Sequence, residues 1–230
     1  MAPPVLSAAQ RRALEQVAQD FRRVFGDRFV ALVAYGHGSS LAFTATLTHK
    51  DLEACAVLAD TSRRQGLAIP LVLTPGEFAR SLDCFPLEYQ SILDAHVVID
   101  GVPPFAGLQV PVDELRRACE AQAKGHLIHL RQAYLEAGGH TTLLAGKVAA
   151  SAAPLRALLM SVARLSGAPP ATNADLAAFA ASPVGMPRDL VERILKLETD
   201  PSESVQVARR IAEYLAAAER LWLFVDSWHA

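Results

Sequence analysis

Short, continuous apolar runs divide the first hundred residues of the chain. Three of them, at residues 29–34, 54–59 and 67–73, have the length of strands, and a fourth at 96–100 ends at a glycine. Runs of four to eight apolar residues are typical of strands that are covered on both faces. The pattern predicts an α/β (α+β) domain with a small mixed sheet of about four strands and flanking helices.

The pattern changes after residues 101–111, a segment rich in proline and glycine. Beyond it, apolar positions recur at helical spacing, and helix start and stop signals alternate. We therefore place a domain boundary in this segment. The prediction is an α/β domain of residues 1–110, followed by an all-α helical bundle domain of residues 111–230 with about five helices.

Composition excludes several classes of protein. With 51% hydrophobic and 20% charged residues, the chain can form a sizeable core. The net charge of -2 gives no global signal for nucleic-acid binding.

No apolar stretch is long enough to cross a bilayer and no signal peptide is visible, so we expect a cytoplasmic protein without a membrane partner. Its three cysteines, Cys55, Cys84 and Cys119, are widely spaced and predicted to be reduced and mostly buried.

Candidate chemistry lies around the first apolar run. The run ends in a turn of glycines, His37 and serines, and Asp51-Leu52-Glu53 opens the second run. Two acids separated by one residue on a strand point to the same face, and carboxylate oxygens suit Mg²⁺. Phosphoryl transfer needs a glycine turn whose amides approach phosphate oxygens, and carboxylates that hold the metal. The predicted nucleotide-binding residues are Gly36, His37, Gly38 and Ser39. The predicted catalytic and metal-binding residues are Asp51 and Glu53.

These motifs resemble those of the nucleotidyltransferase-fold proteins of the DNA polymerase β superfamily, near the minimal and aminoglycoside-type nucleotidyltransferases. The resemblance rests on Gly38-Ser39 followed by the D-x-D-like pair Asp51-Leu52-Glu53. The segments LTPGEFARSLDCFPLEY, DGVPPFAGLQV and CEAQAKGHLIHLRQAYLEA resemble a bacterial group in which a helical bundle follows this domain. The resemblance implies transfer of a nucleoside monophosphate from a nucleoside triphosphate to an acceptor. Gly38 and Ser39 would cradle the triphosphate, and Asp51 and Glu53 would hold Mg²⁺.

The motif departs from the family pattern in three places. The second acid is Glu53 rather than aspartate, the segment Leu41 to Thr48 is an apolar, threonine-rich stretch that we interpret as a loop, and residues 67–73 contain no acid. Asp83, Glu88 or Asp100 would have to supply a third carboxylate.

The departures lead to an alternative function. The chain would be a non-catalytic pseudoenzyme or interaction protein, for example an antitoxin-like partner of a helical protein. A protein partner or a homodimer is expected in that case.

Outside the motif, His126 and His129 have a ligand-capable spacing on a helix, but we predict that they are polar-face histidines.

Overall fold

The structure of the protein, a computed structural model, describes residues 4–36, 38–167, 170 and 172–228, except for the side chains of residues 60 and 61. The chain divides into two units, Met1–Pro111 and Val112–Ala230.

The first unit is a small four-stranded sheet with helices. Its strands are β1 (Phe29–Tyr35), β2 (Ser39–Thr44), β3 (Leu71–Leu73) and β4 (His96–Gly101). Strand β2 pairs with β1 antiparallel and with β3 parallel, β1 pairs with β4 antiparallel, and the strand order is β3-β2-β1-β4. The predicted mixed sheet of four strands is therefore confirmed. In chain order the elements are α1 (Ala8–Phe25), a 3-10 helix (Gly26–Arg28), β1 (Phe29–Tyr35), β2 (Ser39–Thr44), α2 (His49–Arg64), β3 (Leu71–Leu73), α3 (Pro75–Arg80), α4 (Pro86–Asp94) and β4 (His96–Gly101).

Both faces of this sheet are covered, which explains why β1 is continuously apolar. On one face, Phe21 and Phe25 of α1 belong to the same buried cluster as Leu32 of β1. On the other face, the Phe43 ring of β2 meets the Phe78 ring edge-to-face, with 5.4 Å between the ring centroids. Aromatic pairs of this geometry add stability beyond the area that they bury.

Two predictions for the segment after the glycine turn are wrong. Residues 54–59, predicted as a strand, lie inside α2, and residues 41–44, predicted as loop, belong to β2. A short apolar run has no periodicity that separates a strand from a buried helix. The alanine-rich run Ala54 to Ala59 favours the helix, because alanine has the highest helix propensity.

The second unit consists of helices, as predicted, although its described part contains seven α-helices rather than about five. Its elements are α5 (Val112–Glu136), α6 (Thr141–Ala150), α7 (Ala152–Leu165), α8 (Asn173–Ala181), α9 (Arg188–Lys196), a 3-10 helix (Pro201–Glu203), α10 (Ser204–Arg209) and α11 (Ile211–Asp226). Helices α6 and α7 are separated by a break at Ser151. Pro154 lies one turn further on, where its ring would clash with the carbonyl group of Ala150, and this explains the break.

No single helix in the described ranges is long and apolar enough to cross a bilayer. Helices α6 and α7 taken together have the length and apolar composition of a membrane span, but a bend of 43° separates them. The large apolar side chains of α7, among them Leu155, Leu158 and Leu159, are buried within the protein.

Candidate functional site

The predicted phosphate-binding turn is the connection of a β-hairpin. Tyr35 pairs with Ser39 across β1 and β2, so the connection between the two strands is short, and Gly36 and Gly38 belong to it. Gly36 and Gly38 have φ angles of 55° and 98°, which residues with a Cβ atom rarely adopt. Ser39 is the first residue of β2 and is half-buried, whereas His37 lies outside the described residues. The hairpin by itself accounts for both glycines.

Asp51 lies in the first turn of helix α2, and its carboxylate accepts several hydrogen bonds. Thr48 donates two hydrogen bonds to Asp51 Oδ2, one from its backbone N–H and one from its hydroxyl group, both at 2.8 Å. Arg28 Nη1 and Nη2 donate to Oδ2 and Oδ1 at 2.9 and 2.8 Å. The hydrogen bonds from Arg28, and then those from Thr48, hold the pKa of the Asp51 carboxyl group well below its usual range. Asp51 therefore joins the start of α2 to the residue that precedes β1.

Glu53 lies on a different side of the helix from Asp51. Residues i and i+2 of an α-helix are about 200° apart around its axis. The Glu53 side chain is 66% exposed, and its Oε1 lies 3.5 Å from His49 Nε2, one turn earlier. The predicted pair of acids on one strand face is therefore wrong, because the segment is a helix.

The three acids considered as a third metal ligand also have other contacts. Asp100 accepts two hydrogen bonds from Arg22, at 2.6 and 2.7 Å. Glu88 accepts from the hydroxyl group of Tyr35 at 3.2 Å, and Asp83 lies within 3.5 Å of its neighbour's thiol. Within the described ranges, no three His, Cys, Asp or Glu residues are grouped so that they could hold a metal ion. The strand that follows the glycine turn, β2, has the sequence SSLAFT and carries no carboxylate.

An apolar groove of about 460 Å³ lies between α2 and the segment that leads into β3. From α2, Leu52, Cys55 and Ala56 line it, and from the other side Ile69 and Leu71 do. Leu52, Ile69 and Leu71 are 45%, 50% and 48% exposed, which is a high exposure for large aliphatic side chains that lie together.

The groove has a basic end. Arg63 lines it, and Arg64 follows in the last turn of α2. At the other end of the helix, the charge of Asp51 is compensated by Arg28. A molecule that lies along the groove therefore meets mainly apolar side chains, with basic residues near one end.

Sequence reasoning missed this groove because it assigned α2 to a strand. Leu52, Cys55, Ala56 and Ala59 are spaced i, i+3, i+4 and i+7, which is the apolar stripe of a helix. Thr48-x-x-Asp51 also has the form of a capping box with aspartate as the acid. These two signals together indicate the helix and its apolar stripe.

A comparison with protein-family models finds no match to this chain, and a comparison with curated proteins finds none either.

Proposed function

We propose that this chain is a nucleotidyltransferase-like protein that acts by binding an α-helical segment of a protein partner, with the groove between α2 and β3 as the docking surface. The observation that carries the proposal is the cluster of exposed aliphatic side chains along this groove, which ends at Arg63. Contiguous exposed apolar surface rimmed by polar groups is typical of interaction sites.

A helix fits this surface better than an added strand does. Strand β3 is an edge strand of three residues, Leu71–Leu73, and Pro70 directly precedes it. A short edge next to a proline is how proteins prevent another strand from pairing. An amphipathic helix needs only a groove for its apolar face.

The environment of Asp51 supports a binding role over catalysis. Its two carboxylate oxygens already accept hydrogen bonds from Arg28 and Thr48, and a metal ion would have to replace these contacts. This agrees with the pseudoenzyme or interaction protein that the departures from the sequence motif suggest.

A synthetic helix tests the docking surface. The probe is a fluorescent amphipathic peptide of about 18 residues, long enough to form helix in water, with leucines on one face and glutamates on the other. Anisotropy titration of the full chain should give a Kd on the order of 10 μM. Ala56→Arg, which places a charge in the groove, should weaken binding at least about tenfold, or 1.4 kcal/mol.

Val57→Arg is the matched control. Val57 is the next residue of α2 and is 78% exposed, and it does not line the groove. This variant should bind the peptide like the wild type. Equal losses in Ala56→Arg and Val57→Arg, or no binding to the wild type at millimolar protein, would refute the docking surface.

Nucleotidyl transfer is a second proposal, which the resemblance of Gly38-Ser39 and Asp51-Leu52-Glu53 to the nucleotidyltransferase motif favours. In that case the turn would contact the triphosphate, and Mg²⁺ would compete with Arg28 for Asp51. Calorimetry with ATP, GTP, CTP and UTP, with and without Mg²⁺, separates the two proposals. We expect no Mg²⁺-dependent heat from the wild type. Mg²⁺-dependent binding that Asp51→Ala abolishes and Glu53→Ala retains would instead favour transfer chemistry at Asp51.

A further inference from the structure

The second unit contains a separate groove of about 390 Å³ beside the break between α6 and α7. Its walls are mainly apolar, with Leu130 and Ala133 from α5 and Ala150 and Pro154 on the opposite side. His126 of α5 and Ser151, the residue at the break, also line it. Cavities of this volume, with apolar walls and a few polar groups, are typical of small-molecule sites.

A chain of hydrogen bonds runs beneath this groove. The Ser151 hydroxyl group donates to the carbonyl oxygen of Val148 at 2.7 Å. The hydroxyl group of Tyr214 lies 3.0 Å from Ser151 Oγ and 3.0 Å from His126 Nε2. Tyr214 is fully buried and His126 is 9% exposed. The prediction that His126 is a polar-face histidine is therefore wrong, because it faces Tyr214 in the interior.

The directions of these bonds determine the tautomer of His126. A carbonyl oxygen only accepts, so the single hydroxyl proton of Ser151 goes to Val148. Tyr214 must then donate to Ser151, and the oxygen of Tyr214 is left to accept from His126 Nε2–H. In the neutral ring Nδ1 is then a bare acceptor. Nδ1 has no hydrogen-bond partner within the described part of the chain and is not fully enclosed by protein atoms, and His126 lines the groove.

The ionisable residues that line the groove are His126, His129, Glu136 and Lys147. Burial, together with the charge of nearby His129, lowers the pKa of His126 to about 4, so the ring is uncharged at neutral pH. At the rim, the Lys147 ammonium group is paired with the Glu136 carboxylate. Because the two charges of this pair neutralise each other, the pair does not attract a charged ligand.

We propose that this groove binds a small neutral molecule with an apolar body and one hydroxyl or N–H donor, which hydrogen-bonds to His126 Nδ1. The apolar body packs against Leu130, Ala133, Ala150 and Pro154. This site is independent of the docking surface in the first unit.

Phenol and anisole form a matched pair of probes, because anisole has the same ring and no donor. Ligand-observed NMR with the full chain should give a millimolar Kd for phenol. Anisole should bind about fivefold more weakly, the effect of one hydrogen bond. In a long-range ¹H–¹⁵N spectrum, His126 should show the Nε2–H tautomer, and phenol should shift its Nδ1 resonance. Equal binding of the two probes, or an Nδ1–H tautomer, would overturn the proposal.

Two variants separate the site from a general effect on the fold. His126→Leu should lower phenol binding to the level of anisole. Ala150→Trp changes an exposed residue and leaves the hydrogen-bond chain intact, and it should block both probes by filling the groove. Circular dichroism should show wild-type helix content for Ala150→Trp. Unchanged phenol binding in a folded Ala150→Trp variant contradicts this location of the site.

Discussion

Gly101→Ala should destabilise the first unit by about 3–5 kcal/mol, the range of severe backbone clashes. A Cβ atom at this position would lie 2.0 Å from the carbonyl oxygen of Val30 and 2.8 Å from the Cα atom of Ala31. Both are backbone atoms of β1, against which the end of β4 pairs at Ala31. The substitution therefore forces two paired strands apart. Gly101 also has a φ angle of +76°, which costs a residue with a side chain roughly 1–2 kcal/mol.

Gly107→Ala separates the clash from the backbone strain. Gly107 has nearly the same φ angle, +74°, and a Cβ atom there would meet no atom within 4 Å. This variant should lose only the conformational part, about 1 kcal/mol. Urea unfolding of both variants, monitored by circular dichroism, gives the two free energies of unfolding. Equal losses would mean that β1 yields to the added methyl group and that the close approach has little energetic weight.

The close approach at Gly101 illustrates what a single sequence conveys and what it does not. The apolar residues that end at Gly101 predict β4, and the structure has β4 at His96–Gly101. The contact with Val30 depends on the pairing of β4 with β1, which lies about 70 residues earlier in the chain and is therefore a non-local contact. Sequence order alone does not determine this pairing.

Local sequence signals predict where a helix begins when they allow only one interpretation. The capping boxes at Ser7 and Thr74 begin α1 and α3, as their sequences predict. At Asp51 the same kind of local signal competed with a second interpretation, a pair of metal-binding acids on a strand. The structure has the helix, and Arg28 occupies the carboxylate. Arg28 is 23 residues away in the chain, so no local motif includes it.

The two candidate binding surfaces were missed for different reasons. The groove along α2 follows from a helical apolar stripe and can be found from sequence once the capping box at Thr48 is recognised. The groove at His126 cannot, because its chemistry depends on Tyr214, which is 88 residues further along the chain. A histidine on a helix acquires a defined tautomer only when its partner is known.

Asp51→Asn should lower the melting temperature of the first unit by about 5 °C at pH 7, as expected for a unit of this size that loses one charged contact. The folded-state pKa of Asp51 lies below the unfolded value, which is about 3.9. Its stabilisation is therefore fully present above that pH and is lost as the pH falls towards the folded-state pKa. The difference in melting temperature between wild type and Asp51→Asn should be constant from pH 8 to about 5 and should shrink below about pH 4. Glu53→Gln is the control and should change the melting temperature little at any pH, since Glu53 is exposed and its one ion pair among the described residues is with His49 at 3.5 Å. If Asp51→Asn instead melts like the wild type at pH 7, the contact with Arg28 is not structural, and the carboxylate is available for a metal ion after all.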